Sequence, residues 1–349
     1  MKKESYFTLR DEDNISKIRE ILKYDLPEFC EDFFMGVESY TSPLTRLGYA
    51  RDLKTFFQFL TNETRDFGSV DVKEFTLADL DKVTATHIER YLHYLTFYTY
   101  NGKKLRNGEK ARSRKLSSIR ALLKYFFKKD KITRNVGEKI DTPKIHEGEI
   151  IRLDVDEVVK LLNESEDATG FSDQQRKYLK NTQARDFAML SLFLGTGIRI
   201  SECVGLDIDD IDFEENAFRI TRKGGNKAVL YFNDEVKEAL IEWMKVREKI
   251  KELPRTERAL FVSLQNRRIS VRAVENLVKK YSKNITLKHI TPHKLRSTFG
   301  TNLYRETNDI YIVANVLGHR DVNTTRKHYA AVGEDMKRTA ATKVKLRSE

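Results

Sequence analysis

The sequence predicts a mainly α-helical protein of two domains, the second carrying a small antiparallel β-sheet. Three observations predict this. Apolar residues recur at helical spacing through most of the chain, and one segment, 217–232, reads instead as two strands around a glycine turn. The third is length: 349 residues exceed the roughly 250–300 at which a single core stops growing.

Residues 1–24 read as an N-terminal extension, and 1–40 are acidic on balance, with six Lys/Arg against ten Asp/Glu. A helical domain spans 25–145. Ser42-Pro43 starts a helix as N-cap and first-turn proline, and Leu47, Leu53, Phe56, Phe57 and Leu60 then fall broadly on one face. Thr76–Lys82 and Thr86–Tyr98 are two further helices, and 101–108 is a basic, glycine-punctuated loop. The helix after it turns Leu116, Ile119, Leu122, Leu123 and Phe126 toward a core. Its other face carries Arg112, Arg114, Lys115, Arg120 and Lys124.

Proline, glycine and charge mark 140–152 as a linker, and a second domain runs from 146 to 335. There Leu153–Asn163 forms a helix with Asp154 and Asp156 in its first turn. The polar stretch 164–183 is a surface loop or short helix. Arg185–Leu194 is an apolar helix stopped by Gly195-Thr196-Gly197, and Arg199 heads the next short helix. Strands 217–222 and 228–232 flank a hairpin turn holding Lys223, and helices follow at Val236–Lys249 and Val271–Lys283. Thr291-Pro292 caps the next helix, Gly318 ends the short one at Ile310–Leu317, and Asn323 can cap the helix bearing Tyr329. Residues 336–349 form a basic tail.

Charge narrows the partner. The net charge is +11, and segment 101–147 alone holds fifteen Lys/Arg against five Asp/Glu. A basic helix face beside Ser113, Ser117 and Ser118 suits phosphates by charge and by hydrogen bond, so Arg112, Arg114, Lys115 and Arg120 are the expected DNA-binding residues. The reading that competes is a solvated surface. The N-terminus lacks the apolar core of a signal peptide, and no run approaches the ~20 apolar residues of a membrane span. Cys30 and Cys203 lie far apart in helical segments and read as buried thiols of a cytoplasmic protein.

The chemistry concentrates in 291–329. His293 and Arg296 lie one helical turn apart, His319 follows a glycine, and Tyr329 comes ten residues later. A guanidinium fork, two imidazoles and a phenol suit work on a phosphodiester. No zinc-type Cys/His spacing, magnesium-type carboxylate cluster or ATP phosphate loop is present, so no cofactor is expected.

Together with GTGIRISECVGL (195–206) and TRKGGNK (221–227), the motifs TPHKLRSTFGTNL (291–303) and LGHRDVNTTRKHY (317–329) resemble those of the tyrosine site-specific recombinases. They occur in that family's order, and the likeness runs from about residue 25 to 335. It is greatest to the Xer-type chromosome-dimer resolvases. The TRKGG hairpin and the polar insert near 164–183 resemble the branch that works as a single recombinase in streptococci and their relatives.

The resemblance implies that Arg199 and Arg296 clamp the scissile phosphate and that Tyr329 is the nucleophile. It further implies that Lys223 protonates the leaving 5′-oxygen, with His293 and His319 completing the pocket. Lys227 competes with Lys223, which is preferred because it ends a strand directly before the glycines. Tyr281, Tyr304 and Tyr311 are rivals to Tyr329 but lack the Gly-His and Thr-Thr context. Glu202, within one turn of Arg199, is placed to orient it by a salt bridge. Two features depart from the Xer pattern: many members have one residue fewer between His319 and Tyr329, and many carry histidine where Ser297 stands.

The implied molecule is a two-domain clamp on double-stranded DNA. Four protomers assemble on two copies of a specific site and exchange strands through a phosphotyrosine link and a Holliday junction. The tail makes the contact between protomers, and the family admits an accessory DNA translocase. Competing readings are a mobile-element integrase, an inactive DNA-binding relative and a type IB topoisomerase.

Overall fold

The computed structural model describes residues 5–144, 151–250 and 253–318, apart from 69, 101, 169, 180, 181, 223, 224, 255 and 256, together with 322, and at 175, 177 and 178 the backbone alone. It is mainly helical, with small antiparallel sheets. The chain divides into two compact units, 1–148 and 149–349. The division falls inside the expected linker, 140–152.

The first unit contains α1 (Tyr6–Asp25), α2 (Cys30–Gly36), α3 (Pro43–Glu63), α4 (Leu77–Lys82), α5 (Ala85–Tyr94), β1 (Tyr98–Tyr100), β2 (Lys103–Leu105) and α6 (Glu109–Lys128). The Ser42 hydroxyl accepts from Thr45 N–H and Pro43 opens α3, as the sequence predicts. The expected apolar faces of α3 and α6 are fully buried in one aromatic-rich core. Residues 1–24 are more than an extension. Most of them form α1, which buries Ile18 and packs Ile21 and Leu22 against that core. Helical spacing among dense charge hid this face. The helix expected over Thr86–Tyr98 stops at Tyr94, and β1 pairs antiparallel with β2, Tyr98 opposite Leu105. The loop at 101–108 is thus partly a hairpin. Gly102 supplies the positive φ (73°) its turn requires.

The second unit contains α7 (Val155–Asp167), α8 (Asp173–Leu179), α9 (Gln183–Thr196), α10 (Ile200–Gly205), β3 (Ile211–Asp212), β4 (Ala217–Thr221), β5 (Lys227–Tyr231), α11 (Asp234–Glu248), α12 (Val271–Ser282), α13 (Pro292–Thr307) and α14 (Ile310–Leu317). Helix α9 is its centre. Ala188, Met189, Leu190, Leu192 and Phe193 are all 0% exposed, and α7, α11 and α13 pack around it. Such burial on every side explains why this stretch is apolar throughout rather than amphipathic. The strands form an antiparallel sheet in the order β3-β4-β5, with Phe218 opposite Leu230 and both buried.

Candidate functional site

Helix α9 cannot continue past Thr196. Gly197 adopts a left-handed conformation (φ 63°), and its N–H closes on the Phe193 carbonyl as a C-terminal cap. A side chain there would overlap Phe299 and Leu317, so glycine is required for packing as well as conformation. Two residues later Arg199 stands at the N-cap of α10, with its N–H on the Glu202 carboxylate (3.0 Å). Arg199 Nη1 donates to the same carboxylate at 2.9 Å. Glu202 is 3% exposed, so this ion pair holds the guanidinium from below. The bridge anticipated between these residues is present.

Arg296 arrives from the opposite direction. Thr291 and Pro292 start α13, His293 is its second residue, and Arg296 follows one turn later. His293 points to solvent while Arg296 is 4% exposed, since a three-residue step rotates the side chain by about 300° and the helix face turns inward. The Arg296 fork donates to the carbonyls of Gly197 and Leu317.

Leu317 is where the arginines meet. It is the last residue of α14, which Gly318 closes with a left-handed φ of 62°. Arg199 Nη2 also donates to the Leu317 carbonyl (3.2 Å) and to that of Gly318 (3.1 Å). A third guanidinium joins them, with Arg222 Nη2 on the Val316 carbonyl at 3.0 Å. The final carbonyls of a helix have no partner within it and carry the negative end of its dipole, so they favour cations. Carbonyl dipoles and the Glu202 carboxylate offset the repulsion among these like charges. The Arg199 and Arg296 guanidiniums each carry five N–H donors in a rigid fork, enough to hold carbonyls and still serve phosphate oxygens.

Lys223, His319 and Tyr329 lie outside the described residues, as do the Asn323 cap and the tail at 336–349. Their chain neighbours Arg222 and Gly318 both lie at the arginine cluster. Of the rival tyrosines, Tyr281 is fully buried and donates to Asp186 at 3.1 Å; burial, then the Asp186 charge, pushes its phenol well above the usual range. Tyr304 packs on the Val313–Leu317 cluster, and Tyr311 is exposed. Both cysteines are free and buried, and burial raises their thiols far above the ordinary value.

The expected DNA face of α6 needs correction. Lys115 is 7% exposed and reaches Asp52 at 3.2 Å, so it belongs to the interior. Arg120 uses Nε on Gly137 O (2.9 Å), Nη1 on the Thr142 hydroxyl (2.8 Å) and Nη2 on Ile140 O, pinning the segment that leaves the helical unit. Arg112 is half-buried, with Nε out of contact with solvent. Arg114 also pairs with Asp52, yet its side chain is 57% exposed. The outward stripe of α6 is Lys110, Arg114, Ser117, Lys124 and Lys128. Steps of three, four and seven residues keep them on one face. Lys110 and Lys128 were not singled out from the sequence, although the same spacing rule finds them.

The second unit thus gathers three arginine forks at one helix C-terminus, within a mainly helical fold. Comparison with known proteins gives its class a name. Residues 151–335 match the model of the phage integrase family. The chain is 33% identical over 342 residues to the tyrosine recombinase XerC of Caldanaerobacter subterraneus subsp. tengcongensis, covering 95% of this chain and 90% of that relative. It is 28% identical over 347 residues to the tyrosine recombinase XerS of Lactococcus lactis subsp. cremoris, covering 91% and 96%. Among solved structures, its fold is similar to XerH bound to difH in a pre-cleavage complex, at TM-score 0.59 and 22% identity over 82% of this chain and 76% of that one. It is also similar to a lambda integrase tetramer bound to a Holliday junction, at TM-score 0.61 and 16% identity over 86% and 76%. The chain belongs to the phage integrase family and is a Xer-type tyrosine recombinase, an enzyme that cuts and rejoins DNA.

Proposed function

We propose that this recombinase resolves chromosome dimers, acting as a homotetramer on two copies of one DNA site through a 3′-phosphotyrosine and a Holliday junction. The observation that carries the chemistry is the meeting of Arg199 and Arg296 on the Leu317 carbonyl. Two forks fixed there hold the scissile phosphate and the negative charge that spreads over its oxygens in the transition state. Tyr329 Oη forms a bond to phosphorus as the bond from phosphorus to the 5′-oxygen breaks. Lys223 gives its proton to that oxygen, and His293 and His319 assist proton transfer and bind the phosphate. The reverse attack by a 5′-hydroxyl reseals the strand, so bond energy is conserved.

In the helical unit the outward stripe of α6, Arg114 included, contacts the backbone of duplex DNA. The tail at 336–349 closes the ring between protomers. Full-length similarity to proteins called XerC and XerS supports the chromosomal role, and the lambda integrase tetramer on its junction supports the assembly. A second reading, integration of a mobile element, is favoured by the ten-residue spacing from His319 to Tyr329.

The test is incubation of the protein and Tyr329→Phe with nicked suicide DNA, followed by denaturing gels. Termination-region DNA from the host chromosome yields a covalent adduct with the wild type only. An adduct formed solely on the ends of a neighbouring mobile element replaces the chromosomal role with the integrase reading. An adduct that persists in Tyr329→Phe removes Tyr329 as the nucleophile.

A further inference from the structure

Arg222 has no role in the reading above, yet its placement is more constrained than a turn residue requires. Its backbone closes the β4–β5 turn on both sides. Arg222 N–H donates to Asn226 O at 2.8 Å, and Arg222 O accepts from Gly225 N–H at 3.1 Å, where Gly225 has φ 81°. In the sequence, Lys223 follows Arg222 directly. The Arg222 side chain leaves this turn and reaches the end of α14, donating to the Val316 carbonyl at 3.0 Å. Gly318 packs so closely on the guanidinium that any side chain at 318 would overlap it. Its Nε is buried without a hydrogen-bond partner among the described residues.

Such a position is costly for a cation. Burial pushes the guanidinium below its usual range, Glu202 opposes that shift, and the charge of Arg199 adds to it. A tie to one carbonyl needs only a neutral donor. An arginine gives something more: a rigid fork long enough to bind the turn to the same helix end that seats Arg199 and Arg296.

We propose that Arg222 is the positioning residue of the general acid, fixing the root of the hairpin against the C-terminus of α14 so that the next residue, Lys223, delivers its proton to the leaving 5′-oxygen. The inference rests on the reading of Lys223 as that acid. It separates Arg222 from the phosphate clamp: losing Arg222 impairs protonation of the leaving group and leaves phosphate binding intact.

A bridging sulfur in place of the 5′-oxygen tests this. A thiol has a reference pKa of ~8.5 and leaves as thiolate without a proton. Cleavage rates are measured for wild type, Arg222→Ala, Arg222→Gln, Lys223→Ala and Arg199→Ala on suicide DNA with oxygen or sulfur at the scissile phosphate. With oxygen, both Arg222 variants slow cleavage on the order of 10²-fold, the scale of a misplaced catalytic group. With sulfur they return to within about threefold of wild type, as does Lys223→Ala, whereas Arg199→Ala stays slow on both. Recovery on sulfur also establishes that the variants are folded. If the Arg222 variants stay slow on sulfur while Lys223→Ala recovers, Arg222 is not positioning the acid. Wild-type rates for them on oxygen overturn the proposal equally. If Lys223→Ala itself fails to recover, the assignment of Lys223 as the acid falls and this proposal falls with it.

Discussion

Asp52 is 1% exposed and draws three partners from α6: Lys115 Nζ at 3.2 Å, Ser118 Oγ at 2.8 Å and a guanidinium nitrogen of Arg114. Burial lowers the pKa of the Lys115 ammonium, and the Asp52 carboxylate opposes the shift. Removing one charge from this buried cluster costs up to about 3 kcal/mol, with Arg114 and Ser118 remaining on Asp52. Lys115→Met therefore lowers the unfolding temperature by roughly 5–10 °C, read by differential scanning calorimetry, with DNA affinity at 20 °C unchanged within about twofold. A loss of affinity at unchanged melting temperature returns Lys115 to the DNA face. Its burial was legible in the sequence, because Lys115 lies four residues before Ile119 and seven before Leu122, on the apolar stripe. Charge counting along the helix obscured this, and Asp52 is too distant in sequence to announce itself. Arg199 and Arg296 were legible from their motifs. Their shared acceptor was not, because a backbone carbonyl has no residue identity for a sequence to reveal.

At the scale of elements, the start of α7 shows how a cap couples to pH. The Glu157 carboxylate accepts from Asp154 N–H at 2.8 Å and from Lys288 Nζ at 2.6 Å, and Lys288 also reaches Asp154 at 2.9 Å. Partial burial raises the Glu157 carboxyl, but Lys288, the Asp154 N–H and the Thr286 hydroxyl outweigh it and hold it below the usual carboxylate range. A carboxyl depressed by folding stabilises the fold above its unfolded pKa of ~4.3 and loses that contribution as pH falls through the folded value. Lys288 is partly exposed, so the contribution is under about 1 kcal/mol. Glu157→Gln accordingly melts below the wild type by roughly 2–4 °C at pH 7, and the two curves converge in acid, below the usual carboxylate range. An equal gap at pH 7 and in acid removes the ionisation from the account. Elements followed local pattern unevenly. The Ser42-Pro43 start and the Gly197 and Gly318 stops were readable from side-chain chemistry. The β1–β2 hairpin was overlooked although Asn101-Gly102 is a strong turn signal, because strands of three residues are too short to alternate convincingly.

For the whole molecule, electrostatics decides how DNA is held. The chain carries +11 overall, yet residues 1–40 are net acidic and the excess gathers at 101–147. Folding sorts that excess further: Lys115 and Arg120 are withdrawn to internal partners, and Lys110, Arg114, Lys124 and Lys128 remain on the outward face of α6. A helix rises 1.5 Å per residue, so Lys110 to Lys128 covers about 27 Å, the length of roughly eight base pairs. Each phosphate neutralised releases condensed counterions and adds about 0.9 to the slope of log affinity against log salt. The triple variant Lys110→Gln, Lys124→Gln, Lys128→Gln thus flattens that slope by about 2.7 if every one of the three meets a phosphate. Arg120→Gln leaves the slope unchanged and lowers the melting temperature, since its donors hold Gly137, Ile140 and Thr142 in place. Fluorescence anisotropy across 50–300 mM salt on one duplex measures both. A slope unmoved in the triple variant places the DNA on another face of the helical unit, and a slope that moves with Arg120 reverses the division between internal and DNA-facing cations.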